Sequence, residues 1–109
     1  MQETLRYQTP AAGSTSLILS KAMKIGKYDV RADTELIINF YGLHYNNSQW
    51  QRPKEFLPER FDQDNSLYLT PNGNKRHAYS WSPFNGGKRV CFGKTFAEAT
   101  LKIIATYMT

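Results

Sequence analysis

Apolar and polar positions alternate in short blocks along this chain, and the blocks predict a mixture of helices and strands. Gln2 to Gln8 holds no helix breaker and reads as the later part of a helix. Thr9-Pro10 ends it, because the residue before a proline disfavours the helical conformation. Ala11 to Ser16 is small and polar, as in a joint. Ser16 to Ser20 and Thr34 to Phe40 carry the β-branched and aliphatic runs of strands, and Ile25-Gly26-Lys27-Tyr28-Asp29-Val30 between them reads as a tight hairpin. Tyr41 to Asn47 predicts a short helix, after which Asn46-Asn47-Ser48, Pro53 and Pro58 make the chain irregular as far as Asp64. Asp62 to Arg76 is polar and turned by Pro71-Asn72-Gly73-Asn74, which predicts an exposed loop without chemistry. From Gly93 onward, Ala97, Leu101, Ile104 and Met108 recur at helical spacing, one buried face of a final helix cut off at Thr109.

Composition narrows the class. With 109 residues, 40% hydrophobic and 14% aromatic, the chain is one soluble domain at most and too aromatic for disorder. Lys and Arg number 14 against 9 Asp and Glu, a net charge of +5 that favours acidic surfaces of nucleic acid, lipid or protein. The apolar runs Leu17-Ile18-Leu19 and Leu36-Ile37-Ile38 fall far short of the roughly 18 to 20 residues of a membrane span. The first residues lack a signal-peptide succession, and the start inside a helix reads as that of a fragment. A single cysteine excludes an internal disulfide and a four-cysteine zinc cage.

That cysteine stands in Phe84-Asn85-Gly86-Gly87-Lys88-Arg89-Val90-Cys91-Phe92-Gly93, at the junction of a glycine-rich loop and the last helix. A helix N-terminus and its unpaired amides favour the thiolate form, the form that ligates metal. Gly86, Gly87 and Gly93 remove side chains where a flat macrocycle must lie against backbone, and permit positive φ values. Phe84 can shield sulfur from water, Arg89 can reach an anionic group at the macrocycle edge, and Ala97 keeps the helix close. The bland alternative is a buried structural cysteine beside a helix-capping glycine loop.

The spacing F-x-x-G-x-R-x-C-x-G-x-x-x-A, filled by Phe84, Gly87, Arg89, Cys91, Gly93 and Ala97, resembles the haem-binding signature of the cytochrome P-450 family. Glu3 and Arg6, three apart on one helix face, are by themselves a common surface pair worth about 0 to 1 kcal/mol. In this context Glu3-Thr4-Leu5-Arg6 is similar to the family's E-x-x-R helix, and Phe56-Leu57-Pro58-Glu59-Arg60-Phe61 to its P-E-R-F motif. The resemblance implies an α+β fold, mainly helical in the full protein, of which the chain is the C-terminal haem-binding portion: helix, small β hairpins, meander, cysteine loop and final helix. Missing would be the N-terminal portion and the extreme C-terminus. It implies haem b (iron protoporphyrin IX) held through Cys91 as axial iron ligand, and a buried structural triad of Glu3, Arg6 and Arg60 supporting haem incorporation. No catalytic residue beyond the ligand is expected in this portion.

Two departures stand out. Many members carry an arginine toward a haem propionate in the strand after the first helix; Ser14 to Ser20 holds none, so that either Lys21 substitutes or the contact is missing. Lys88 stands where eukaryotic members often have proline. His44 and Trp50 sit where the family often has a histidine and an aromatic residue. His44 and His77 read as partly exposed, hydrogen-bonded imidazoles rather than metal ligands, and Tyr79, Trp81 and Phe84 as packing.

The function implied is that of a monooxygenase inserting one oxygen atom from O2 into a small organic substrate, the chain alone being inactive. Its expected electron donor is an NADPH-dependent flavoprotein reductase or an equivalent, docking on a basic face of Lys75, Arg76, Lys88, Arg89 and Lys94. Membrane association is expected only through the missing N-terminal part, at the endoplasmic reticulum in a typical eukaryotic member. The alternatives are a truncated product that binds no haem and, less favoured, a small basic nucleic-acid-binding protein. Nucleic acid is not an expected partner, since no recognition-helix or zinc-finger pattern is present.

Overall fold

A computed structural model describes residues 1–108. The first helix, α1 (Gln2–Tyr7), stops ahead of Pro10 as the proline rule requires. Next come β1 (Leu17–Ile18), the hairpin β2 (Met23–Ile25) and β3 (Tyr28–Val30), and β4 (Glu35–Leu36). Gly26, at the hairpin turn, has φ +58°, a left-handed conformation that glycine adopts without penalty. β1 pairs antiparallel with β4 in the register Leu17 to Leu36. Single bonds extend this pairing beyond the strands: Ser14 N donates to Ile38 O (2.9 Å) and Tyr41 N to Ala12 O (3.1 Å).

The strand predicted over Thr34 to Phe40 is shorter than expected. Asn39 caps α2 (Phe40–His44), its side chain accepting from Gly42 N at 2.8 Å, so the helix begins where the strand was to end. A meander of 3-10 turns follows, at Pro58–Phe61, Ser66–Tyr68, Ala78–Ser80 and Gly87–Arg89, and α3 (Lys94–Met108) closes the described chain. The truncation expected at Thr109 lies outside the described residues.

The interior is unusual in being mostly polar. Among the described residues the buried apolar side chains are Leu5, Phe40 and Trp50, whereas Glu3, Arg6, His44, Arg60, Thr70, Ser80 and Ser82 are buried as well. The radius of gyration is 16.1 Å, against about 13 Å for a compact domain of this length. α3 accounts for much of the difference. Its predicted apolar face is not buried: Leu101, Ile104 and Met108 are 40%, 49% and 81% exposed, and they border a cleft shared with Met1, Thr4 and Leu5 of the α1 end. Phe96, Ile103 and Tyr107 are exposed on its other side. A helix apolar on so much of its circumference is one that packs on several sides.

Candidate functional site

Two structures meet at the site: a buried ionic cluster and the cysteine loop. In the cluster, Glu3 and Arg6 lie on one face of α1, and Arg60 enters from the Pro58–Phe61 turn. Glu3 is 2% exposed and both arginines are fully buried. Arg6 donates to Glu3 through Nε and Nη2 (both 2.7 Å), and Arg60 through Nε (3.2 Å). Leu57 N donates to the same carboxylate at 2.9 Å, so the turn that carries Arg60 is pinned to the helix. Two guanidiniums against one carboxylate leave a net positive charge, and backbone carbonyls complete their coordination. Arg6 donates to His44 O, Pro53 O and Glu55 O, and Arg60 to Gln51 O, Arg52 O and Glu55 O. Burial, then the Arg6 charge, holds the Arg60 guanidinium below its ordinary value, with Glu3 opposing the shift.

His44 belongs to this cluster and corrects the expectation of a partly exposed imidazole. It is fully buried, and its Nε2 accepts from Ser82 N at 3.0 Å. Burial first and the neighbouring Arg6 charge second lower its pKa from 6.5 to about 4. His77 is exposed, its Nδ1 accepting from Tyr79 N at 3.2 Å, and among the described residues no group of three or more His, Cys, Asp or Glu is placed to hold a metal ion.

The segment Asp62 to Arg76 is not the idle loop its polarity predicts. Arg76 stacks over Trp50 (4.3 Å to the ring centroid) and donates to Leu67 O (2.8 Å) and Arg60 O (2.6 Å). Thr70 is buried, with its Oγ1 accepting from Asn74 N. This commitment removes Arg76 from the expected basic face. Lys75 lies with it beside Trp50 and Trp81, in a different cleft from Lys88 and Arg89. For Arg76 the sequence carries no signal of its own, since the rings it meets, Trp50, Phe61 and Tyr68, belong to other segments of the chain. Gln51, whose Nε2 donates to Ser66 O and Leu69 O, carried none.

The cysteine loop leaves this buried region at Ser82. Cys91 N donates to Phe84 O at 2.8 Å and Lys94 N to Cys91 O at 3.2 Å, so Cys91 sits just ahead of the first turn of α3. Its side chain is exposed and borders an open cleft of about 340 Å³ with Phe84, Asn85, Arg89 and the joint residues Ala11, Gly13, Ser14 and Thr15. Bridging the loop, Asn85 has φ +63° and Gly87 φ +61°, of which only the second is free of strain. Gly86 matters for another reason, since a Cβ there would come within 2.7 Å of the Tyr79 ring. At Gly93 a Cβ would meet Cys91 Sγ at 3.8 Å, ordinary contact, and of the three loop glycines only Gly87 adopts the expected positive φ. Ala97 is half-buried in the first turns of α3, its amide donating to Gly93 O at 2.9 Å.

The chain as a whole has parallels in known proteins. The model of the family described as "Cytochrome P450" matches residues 1–108. The chain belongs to the cytochrome P450 family. Among curated relatives it is 36% identical over 104 residues to cytochrome P450 4X1 of Homo sapiens, covering 94% of this chain and 19% of that protein. It is 34% identical over 103 residues to tabersonine 3-oxygenase of Catharanthus roseus, covering 94% and 20%. The solved structure of retinoic acid-bound cyanobacterial CYP120A1 superposes with a TM-score of 0.85 at 28% identity, covering 98% of this chain and 23% of that one. The P450 chain thus spans about a fifth of the length of these relatives, and it shares the mixed helix and strand arrangement of the solved one.

Haem is the cofactor of the P450 family, and the residues present fit it. The one cysteine has an exposed sulfur on an open cleft. Arg89 lines the same cleft and has no salt-bridge partner among the described residues. Around Gly87 the nearest atom a Cβ would meet is the Tyr79 hydroxyl at 3.9 Å, leaving the backbone open to a flat ligand.

Proposed function

We propose that this chain is the haem-binding, C-terminal part of a P450 monooxygenase that inserts one oxygen atom from O2 into a small organic substrate. The observation that carries this reading is the placement of Cys91: an exposed thiol just ahead of α3, sharing a cleft with Phe84 and the uncommitted cation Arg89. When bound, the haem supplies oxygen activation, and a thiolate ligand is the kind that favours O–O cleavage. Cys91 would hold the iron, Arg89 would pair with a propionate, and Phe84 would exclude water from sulfur. Gly87, Gly93 and Ala97 would leave room for the macrocycle. The Glu3, Arg6 and Arg60 triad would hold the meander in place so that the loop keeps its shape while haem enters.

Electrons would come from an NADPH-dependent flavoprotein reductase or an equivalent donor. The exposed Lys88 and Arg89, which line one cleft, and the half-buried Lys94 would supply the basic surface that favours an acidic donor. Localisation follows the eukaryotic relatives, at the endoplasmic reticulum membrane through a segment outside this chain. Among the described residues no helix is long and apolar enough to cross a membrane.

The test is the carbon monoxide difference spectrum of the reduced, haem-loaded parent protein and of its Cys91→Ser variant. A strongly red-shifted Soret band that the variant loses supports the reading. Haem uptake without that band in the parent would sink the thiolate assignment, and no uptake at all would leave a product that keeps the motifs without the cofactor.

A further inference from the structure

His44 has no part in ligating haem, and the triad uses only its backbone, yet its imidazole is fully buried. Its carbonyl accepts from Arg6 Nη1 at 2.9 Å, and its Nε2 accepts from Ser82 N at 3.0 Å, in each case across a sequence separation of 38 residues. A ring nitrogen that accepts must be unprotonated, so the proton of the neutral ring sits on Nδ1. A second proton on Nε2 would set donor against donor at Ser82, and burial beside Arg6 already disfavours it. Neutral imidazole is therefore the only form that makes both bonds.

The position of Ser82 gives this bond its consequence. Ser82 is 6% exposed and the next residue, Pro83, has no N–H, so Ser82 supplies the last amide donor before the loop proper. Beyond it, Asn85 N donates to Ser82 O (3.2 Å) and Cys91 N to Phe84 O (2.8 Å). The loop then turns through Asn85 and Gly87, both left-handed, before reaching exposed Val90 and Cys91. Its course is set from its buried end.

We infer that His44 is a positioning residue for the Cys91 loop: a neutral imidazole that ties the Glu3, Arg6 and Arg60 cluster to the segment from which Phe84 and Cys91 extend. The inference rests on Cys91 being the haem ligand, and it assigns His44 control over how that ligand is presented rather than over folding alone.

The experiment compares the full-length parent protein with its His44→Leu, His44→Gln and Cys91→Ser variants, reading the red-shifted Soret band of the carbon monoxide adduct per mole of bound haem. His44→Leu should retain haem while the red-shifted fraction falls by about ten-fold, the scale of effect when a ligand loses its outer support. His44→Gln should restore the band, because its amide oxygen can accept from Ser82. An unchanged fraction in His44→Leu overturns the positioning role and leaves the Cys91 assignment standing; a parent without the band removes both. Should His44→Leu not fold, hydrogen exchange at the Ser82 amide of the parent decides. Exchange about a hundred-fold slower than at the exposed Lys88 amide supports the bond, and exchange at the Lys88 rate overturns it.

Discussion

Replacing Glu3 with glutamine in the parent protein keeps the size of the side chain and removes its charge, and the structure allows the cost to be worked out. Oε1 accepts from Arg6 Nη2, Arg60 Nε and Leu57 N, while Oε2 accepts from Arg6 Nε alone. The best arrangement of the glutamine keeps its oxygen at Oε1 and turns an NH2 toward Arg6 Nε, so three bonds lose their anionic acceptor and one becomes a donor facing a donor. Two buried guanidiniums then share a site with no anion, and the carbonyls around them, being dipoles, do not replace the charge. Stranding a buried charge in this way costs about 3 to 5 kcal/mol, a large share of the roughly 5 to 15 kcal/mol that holds a domain folded. Trp50, 1% exposed with its ring 5.3 Å from Arg6 Cζ, is a built-in reporter, so urea unfolding followed by tryptophan fluorescence is the assay. Glu55→Gln is the control, because the Arg52–Glu55 pair is half exposed and worth about 0 to 1 kcal/mol. A Glu3→Gln loss no larger than that of the control would refute the buried network.

Three further outcomes follow from the geometry. The pKa of His44, lowered from 6.5 to about 4, means that between these values the unfolded chain takes up a proton which the folded chain refuses. Its contribution to stability is therefore complete above pH 6.5 and falls by roughly 3 kcal/mol as the pH drops toward 4; the urea midpoint should fall less between pH 7 and 4.5 in His44→Gln than in the parent. Arg76→Lys should destabilise almost as much as Arg76→Leu, by about 2 kcal/mol, because a lysine cannot both stack on Trp50 and donate to two carbonyls; thermal unfolding of both variants checks this. Gly87→Ala should cost about 1 to 2 kcal/mol at φ +61°, and calorimetry should show a similar loss for Gly26→Ala at φ +58° on the exposed hairpin.

What was legible from sequence differs by the range of the interaction that decides it. α1 and the β2–β3 hairpin are local matters: Pro10 stops one, and Gly26 turns the other. The pairing of Glu3 and Arg6 with Arg60 spans most of the chain and no periodicity points to it; only the likeness of two motifs to a family brought them together. α2 was misjudged at its start because the aliphatic run Ile37-Ile38 obscured Asn39, whose capping side chain was the better signal. Arg76 on an expected basic face and His44 as an expected partly exposed imidazole are both polar and isolated in sequence. The half-burial of the first and full burial of the second depend on carbonyls, amides and aromatic faces contributed by segments up to 38 residues away. The periodicity of α3 predicts one buried face, but periodicity says nothing of what covers a face, and within this chain Leu101, Ile104 and Met108 stay exposed.

The sharing of Glu55 O between Arg6 and Arg60 has a consequence for the order in which the molecule assembles. Glu3 and Arg6 are three residues apart and pair neutrally as soon as α1 forms. Arg60 must close a 57-residue separation to join them, and it brings an unbalanced charge into a dry site. That arrival is favourable only once the carbonyls of Gln51, Arg52 and Glu55 already point inward. Loop closure and desolvation thus fall together on one late step. Removing the Arg60 guanidinium should then hasten unfolding and leave the refolding rate almost untouched, the kinetic mark of a contact made after the barrier.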